Sequence, residues 1–263
     1  MSGAALPEDY ARALLARLES QREYLYSYPL NLYALADTIG LSIREVTVQG
    51  FEGALVRVPN RLRGIIAVRR DFREPGRKRF TIAHEIGHFV LPGHGTAQPI
   101  CTSSDVEWIQ EASKQELAAN RFAAELLMPA IQIESFLKRE GLFISTVRRI
   151  CDRYVTSLTA AALKCIEMSL EPCALVISSG GRISQFKPNN SFKYQVTLGR
   201  TIRSDTKAFH LLEGGDNSSD SGVIQASAWL DNYDALLDML VKEDSILLPS
   251  YDKIFTILTL PSS

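Results

Sequence analysis

The chain has 263 residues, of which 46% are hydrophobic and 22% charged, and its formal net charge is −1. A chain of this length can bury one large core or two small ones, and the near-neutral charge argues against direct DNA binding. No apolar run reaches the roughly 18 residues that span a bilayer, and the first residues lack a signal-peptide core. The four cysteines have no close spacing. We therefore expect a reduced, cytoplasmic protein with no membrane partner.

The N-terminal part is predicted to begin with helices and to continue with strands. Helical spacing of apolar residues predicts helices over residues 7–22 and 31–40. Alternating apolar residues then predict strands over 41–49, 53–59 and 64–70.

A helix that carries His84 and His88 is predicted after Pro75-Gly76, followed by a long helix over 105–127 and shorter helices up to about residue 169. Beyond a boundary near residue 170 the pattern changes. There we expect strands over 173–179, 182–188, 192–199 and 254–260, a flexible loop over 213–222 and an amphipathic helix near 229–242.

Residues 84–88, with the sequence HEIGH, form the clearest functional motif. Positions i and i+4 share one helix face, so His84 and His88 can present two imidazoles to one metal ion, and Glu85 can reach a water bound to it. Zinc lowers the pKa of that water, and the glutamate takes its proton during attack on a carbonyl. Gly87 costs a helix about 1 kcal/mol relative to alanine, which indicates a close backbone approach. Two surface histidines on an amphipathic helix are the alternative, but core-type residues surround the motif.

A catalytic zinc site uses three protein ligands and one open position, and two residues compete for the third place. His94 follows His88 at the six-residue spacing of one metalloprotease motif, but Leu91 stands where that motif turns on a glycine. Glu116 lies on the next predicted helix, with Asn120 four residues later as a hydrogen-bonding partner for a ligand. Spacing alone does not decide between them, whereas placement on a rigid helix favours Glu116.

The segments RFTIAHEIGHFVL and ELAANRFAAELLMP, with the lead-in over 30–70, resemble the ImmA/IrrE family of HExxH zinc metallopeptidases from bacteria and their mobile elements. The resemblance spans about residues 30–170. It implies that His84, His88 and Glu116 are the metal ligands, with a third ligand of the gluzincin type, and that Glu85 is the catalytic base. His94 then becomes a candidate for substrate or oxyanion contact. The resemblance also implies that residues 64–70 are the edge strand along which a substrate lies.

Together with the boundary near residue 170, the resemblance implies an α+β fold in three parts. Residues 1–140 would form a zincin-like metallopeptidase domain. Residues 141–170 would form a helical segment resembling a helix-turn-helix, with a turn near 155–157. Residues 171–263 would form a C-terminal α+β accessory domain, GAF-like in some relatives, for sensing or docking.

The function this implies is a cytoplasmic, zinc-dependent, site-specific endopeptidase. Its substrate would be a helix-turn-helix transcriptional repressor, so that cleavage derepresses genes in stress response, mobile-element control or phage defence. Two histidines and a carboxylate suit Zn²⁺, and Mn²⁺ or Fe²⁺ can occupy such sites. The alternative is a non-proteolytic sensor or anti-repressor that binds and sequesters a repressor. The presence of Glu85 favours the peptidase, because a pure binder needs no general base.

Overall fold

The structure is a computed structural model that describes residues 5–21, 27–48, 50–58, 62–94, 113–214, 218–231 and 238–260. The chain divides into two units, Met1–Gln132 with Ile150–Ala160 and Ile133–Arg149 with Ala161–Ser263. Within the described residues the fold is mixed α+β, with one sheet in each unit. None of the helices in the described ranges combines the length and the apolar character needed to cross a membrane.

The first unit begins with α1 (Pro7–Gln21) and α2 (Leu32–Thr38), which confirms both predicted helices. Asn31 caps α2, since its side chain accepts a hydrogen bond from the Ala34 amide at 3.1 Å. Gly40 follows with a φ of +82°, a conformation that lets the chain leave the helix and enter the sheet.

A three-stranded sheet comes next, made of β1 (Leu41–Val46), β2 (Gly53–Arg57) and β3 (Gly64–Arg69). The strand order is β1-β3-β2, with β1 parallel and β2 antiparallel to β3. The three predicted strands are confirmed, but the prediction that residues 64–70 form an edge strand is wrong. β3 pairs on both sides, so β1 and β2 are the outer strands of this sheet among the residues that the structure describes.

A series of helices follows the sheet. They are α3 (Pro75–Val90), α4 (Lys114–Leu127), α5 (Ala130–Glu140), α6 (Ile144–Tyr154) and α7 (Leu158–Met168). α4 confirms the later part of the helix predicted over 105–127, whose residues 105–112 lie outside the described ranges. The turn predicted near 155–157 separates α6 from α7, and Val155 adopts a φ of +49° there.

The metal-motif helix α3 is closely packed inside the first unit. It contacts α4, β2 and β3. At its start a Cβ on Gly76 would come within 2.4 Å of the carbonyl carbon of Thr156. That distance leaves no room for a side chain, so glycine is required where α3 meets the turn between α6 and α7.

The sheet of the second unit has the order β5-β4-β8-β7-β6, and all neighbouring strands are antiparallel. Its elements are β4 (Cys173–Ser179), β5 (Arg182–Pro188), α8 (Lys207–Leu212), β6 (Ser219–Gln225), β7 (Leu240–Leu248) and β8 (Lys253–Thr259). The strands predicted over 173–179, 182–188 and 254–260 are confirmed.

Three predictions for this unit are wrong. Residues 192–199 form no strand, although Phe192 and Val196 are buried as an alternating pattern requires. The helix predicted near 229–242 ends in strand, because β7 begins at Leu240; residues 232–237 lie outside the described ranges. The loop predicted over 213–222 is strand from residue 219, in β6, and residues 215–217 lie outside the described ranges. The periodicity of short polar and apolar runs does not distinguish strand, helix and loop. Hydrogen-bond pairing in the sheet determined which segments became strands.

A buried carboxylate organises the core of the second unit. Glu243 on β7 accepts hydrogen bonds from the amides of Lys207 and Ala208 at 3.0 and 2.7 Å. It also accepts from the indole Nε1 of Trp229 and the hydroxyl of Ser245, both at 2.9 Å. Four donors offset the cost of burying this charge, and they tie the start of α8 to the sheet.

Candidate metal centre

His84 and His88 lie one turn apart on the buried face of α3, with their Nε2 atoms 2.9 Å apart. The helix starts at Pro75, a residue suited to a first turn, and ends where Leu91 becomes extended. Both side chains are completely buried. Their rings are nearly perpendicular, at 76°, with centroids 4.6 Å apart. The i, i+4 spacing has therefore brought two imidazole nitrogens to one point, as predicted from the motif.

Glu116 on α4 brings a carboxylate to the same point. Its Oε2 lies 3.0 Å from His84 Nε2, and its Oε1 lies 3.3 Å from His88 Nε2. The side chain keeps 13% of its surface exposed, whereas the two histidines keep none. Solvent therefore reaches this cluster on the side of Glu116.

The two helices can meet this closely because Gly87 has no side chain. A Cβ at this position would lie 3.0 Å from Phe122 Cδ1 and 3.3 Å from the Cα of Ala119, both on α4. The close approach predicted at Gly87 is confirmed. A larger residue would push away α4 and, with it, Glu116.

The three side chains fit a divalent metal in tetrahedral coordination. Bonds of about 2.0–2.1 Å at tetrahedral angles place neighbouring donor atoms about 3.3 Å apart. The separations found here run from 2.9 to 3.3 Å. Among the residues that the structure describes, one group of His, Cys, Asp or Glu side chains could hold an ion, and it consists of His84, His88 and Glu116. Such a set leaves a fourth position for water or substrate.

Each histidine of the pair has a polar partner at its outer nitrogen. Asn120, on α4, places its Oδ1 2.8 Å from His84 Nδ1. A carbonyl oxygen can only accept, so His84 carries its proton on Nδ1 and keeps the Nε2 lone pair for a metal. On the other side, His88 Nδ1 lies 2.7 Å from His94 Nδ1. His94 thus lies behind His88, at the nitrogen that faces away from Glu116.

The charges of the cluster follow from its burial and its hydrogen bonds. Burial opposes ionisation of Glu116, but the adjacent imidazoles of His84 and His88 outweigh it and hold the pKa of the carboxyl well below its usual range. Burial, followed by the neighbouring His88 imidazole, lowers the pKa of His94 to about 4. Near pH 7 Glu116 is therefore an anion and His94 is neutral.

Glu85 is buried on α3 and its carboxylate faces the outer strand β2. A Cβ on Gly53 would lie 3.1 Å from Glu85 Oε1 and 2.5 Å from Thr81 Cγ2. The backbone of β2 therefore passes directly beside this carboxylate, and it can do so only because residue 53 is a glycine.

Arg57, at the end of β2, is a part of this region that the sequence did not predict. Its Nη2 donates to the carbonyl oxygens of His88 and Phe89, the latter at 3.1 Å, and its guanidinium lies 5.0 Å from the centre of the Phe89 ring. A cation on the last carbonyls of a helix stabilises its C-terminus. The contact joins residues 31 positions apart, and no local sequence pattern predicts a contact over that distance.

All the residues predicted for the site lie in this one region. His84, His88 and Glu116 converge, and Asn120 and His94 contact the two histidines. The roles of these residues, and that of Glu85 as a base, stay predictions, as does the substrate or oxyanion contact expected for His94.

Comparison with known proteins identifies the part of the chain that holds the cluster. Residues 36–165 match the family model of Peptidase_M78, described as an IrrE N-terminal-like domain. None of the curated proteins compared with this chain matches it. Among solved structures, a Mycobacterium tuberculosis transcriptional regulator is similar with a TM-score of 0.58, over 96% of this chain and 76% of that chain, at 13% identity. At that identity the likeness concerns the fold alone.

Proposed function

We propose that this chain, whose residues 36–165 belong to the Peptidase_M78 family of IrrE N-terminal-like domains, is a zinc-dependent endopeptidase that cleaves a helix-turn-helix repressor and so derepresses genes. The resemblance to ImmA/IrrE metallopeptidases is confirmed for this segment. The observation that carries the proposal is the convergence of His84, His88 and Glu116 to separations of 2.9–3.3 Å, with Glu85 on the helix that carries the two histidines.

The residues of the cluster have distinct roles in this proposal. His84, His88 and Glu116 hold the ion, which when bound lowers the pKa of a coordinated water and polarises the scissile carbonyl. Glu85 takes a proton from the attacking water onto its carboxylate and delivers it to the leaving amide nitrogen as the C–N bond breaks. Asn120 keeps the proton of His84 on Nδ1, at the 2.8 Å contact.

A substrate strand is expected along β2, in place of the central strand β3. β2 is an outer strand and passes Glu85 at Gly53. The Val58 amide donates to the Arg63 carbonyl at 2.9 Å, across the pairing with β3. By the two-residue period of a strand, the amide of Leu55 points the other way, where an extended peptide can add as a new strand.

This placement has a direct test. A photoreactive residue at Val56, which is 58% exposed on β2, should cross-link a bound repressor in the Glu85→Gln protein. The same residue at Ile131, which is 76% exposed on α5, is the matched control and should not. Equal capture at both positions would place the substrate elsewhere.

The remaining parts of the proposal concern setting and organisation. The chain would have three parts: a zincin-like domain over 1–140, a helix-turn-helix-like segment over 141–170 and an accessory domain over 171–263. Together these parts would bind and sense the repressor. The basic residues near α3 are used within the fold, which supports a protein partner over DNA: Arg77 pairs with Glu52 at 2.9 Å and Lys78 with Glu45 at 2.7 Å. The free thiols of Cys151, Cys165 and Cys173 are compatible with the cytoplasm.

The test of the function is intact-mass spectrometry of a repressor encoded beside this gene, co-expressed with the wild-type protein or with Glu85→Gln. We expect one cut in the repressor, present with the wild type and absent with the variant. The position of that cut gives the scissile bond.

An uncut repressor would contradict the peptidase. If that repressor also co-purified with both proteins after addition of Zn²⁺ and Mn²⁺, the chain would be a sequestering anti-repressor. Cleavage that continued with Glu85→Gln would keep the peptidase but remove Glu85 as its base.

A further inference from the structure

The histidine that follows the metal motif contacts a predicted ligand from behind. His94 Nδ1 lies 2.7 Å from His88 Nδ1, and the two rings lie 4.9 Å apart at 54°. On the other half of the cluster Asn120 Oδ1 makes the same kind of contact with His84 Nδ1, at 2.8 Å. Each imidazole of the pair thus has its inner nitrogen at the centre and its outer nitrogen against a polar side chain.

Hydrogen-bond chemistry then determines which atoms carry protons. His88 Nε2 must present a lone pair to an ion, so a neutral His88 carries its proton on Nδ1. The atom facing that proton is His94 Nδ1. His94 Nδ1 therefore accepts, and the proton of His94 resides on its own Nε2. Such a bond both selects the metal-binding tautomer of His88 and holds the plane of its ring.

The turn that carries His94 is held by the helix that supplies Glu116. Gly93 adopts a φ of +78°, which reverses the chain after α3 and directs His94 back towards the motif. Gln115 Nε2 on α4 donates to the Gly93 carbonyl at 2.8 Å. Gln115 immediately precedes Glu116. One end of α4 thus fixes both the third ligand and the loop behind the second ligand.

We propose that His94 is a positioning residue of the metal centre, which accepts the Nδ1 proton of His88 and so prepares His88 Nε2 for the ion without being a ligand itself. The proposal rests on the metal centre of the proposed function but not on the identity of the substrate. It differs from a substrate or oxyanion contact, because it acts in the absence of any peptide.

The test is the affinity of the purified, full-length protein for Zn²⁺, measured by competition with a chromogenic chelator. Leucine at position 94 fills similar space but accepts no hydrogen bond, and we expect His94→Leu to bind zinc about 10–100-fold more weakly than the wild type. Asparagine places its Oδ1 near the position of the histidine Nδ1, so His94→Asn should recover binding to within about 3-fold of wild type.

Two further variants keep the proposal testable if His94→Leu folds poorly. Gln115→Ala leaves every histidine in place and loosens the Gly93 turn, so it should weaken zinc binding in the same direction by a smaller factor. His210→Leu removes the histidine of α8 in the other unit, and its zinc affinity should equal that of the wild type. Circular dichroism of the metal-free proteins checks that each is folded.

The outcomes separate the ideas involved. Unchanged affinity in His94→Leu would refute the positioning role. Failure of His94→Asn to recover binding, with a weaker visible absorption spectrum of the Co²⁺-loaded protein, would make His94 a ligand and overturn the proposal. Absence of zinc binding by the wild-type protein would overturn this inference and the proposed metal centre together. Normal zinc binding with no repressor cleavage would contradict the peptidase alone.

Discussion

Replacing Gly53 with alanine tests how closely β2 must pass the α3 helix. The new Cβ would lie 2.5 Å from Thr81 Cγ2 and 3.1 Å from Glu85 Oε1. Non-bonded carbon atoms have their optimal separation at about 3.5–4.0 Å. Either β2 and α3 must therefore separate by about 1 Å or Thr81 must leave its rotamer. Overpacking of this kind costs about 1–3 kcal/mol. We expect Gly53→Ala to lower the free energy of unfolding by that amount and to slow cleavage of the repressor, since Glu85 moves with α3.

Thr81→Ser provides the matched control for this prediction. It removes the Cγ2 that the new methyl meets and keeps the hydroxyl that donates to the Arg77 carbonyl at 3.1 Å. Alone it should cost about 1 kcal/mol, the value of a buried methyl group. The double variant should be more stable than the sum of the single effects by at least about 1 kcal/mol, because the two substitutions share one contact. Strictly additive effects in urea unfolding, followed by circular dichroism, would refute the proposed contact.

Three other predictions concern separate parts of the chain. Asn120→Leu removes the acceptor 2.8 Å from His84 Nδ1, so zinc affinity measured by chelator competition should fall about 10–100-fold; unchanged affinity would mean that His84 is oriented without it. Burial and the nearby Glu45 raise the pKa of Tyr33 from 10.0 to about 12. The neutral form is thus favoured by folding, so its stabilising effect is complete below pH 10 and is lost between pH 10 and 12. Melting temperatures across that interval should fall less for Tyr33→Phe than for the wild type, and parallel curves would contradict the shift. Glu243→Gln turns an NH₂ group towards buried donors and should cost about 2–3 kcal/mol in urea unfolding; a neutral effect would show that this core rearranges.

The local part of the candidate metal centre could be predicted from a few residues. In a helix each turn is closed by hydrogen bonds between residues four apart, so the relation of His84, Glu85 and His88 is encoded within five positions. The close approach at Gly87 could also be predicted. A glycine inside a helix lowers the stability of the helix, and a neighbour that leaves no room for a side chain explains its presence. The structure places Phe122 3.0 Å from a Cβ at that position.

For the third member of the cluster, the sequence offered two candidate residues. Spacing allowed either His94 or Glu116, and rigid placement on a helix together with the family resemblance favoured Glu116. Its oxygens lie 3.0 and 3.3 Å from the two histidines. His94 instead contacts the outer nitrogen of His88, an arrangement that depends on the Gly93 turn and on Gln115 from another helix.

Strand order and contacts between distant residues were decided by the tertiary structure alone. An alternating pattern predicts that residues 64–69 form a strand, but it carries no information on how many neighbours that strand has. β3 is central because β1 pairs with it in parallel and β2 antiparallel. For the same reason the Arg57 contact with the end of α3 had no signature. By itself the sequence determined the short-range geometry, in which the partners lie within one turn or one pleat. Pairings across tens of residues depend on which surfaces the whole unit can bury together, and these surfaces are determined only when the chain folds.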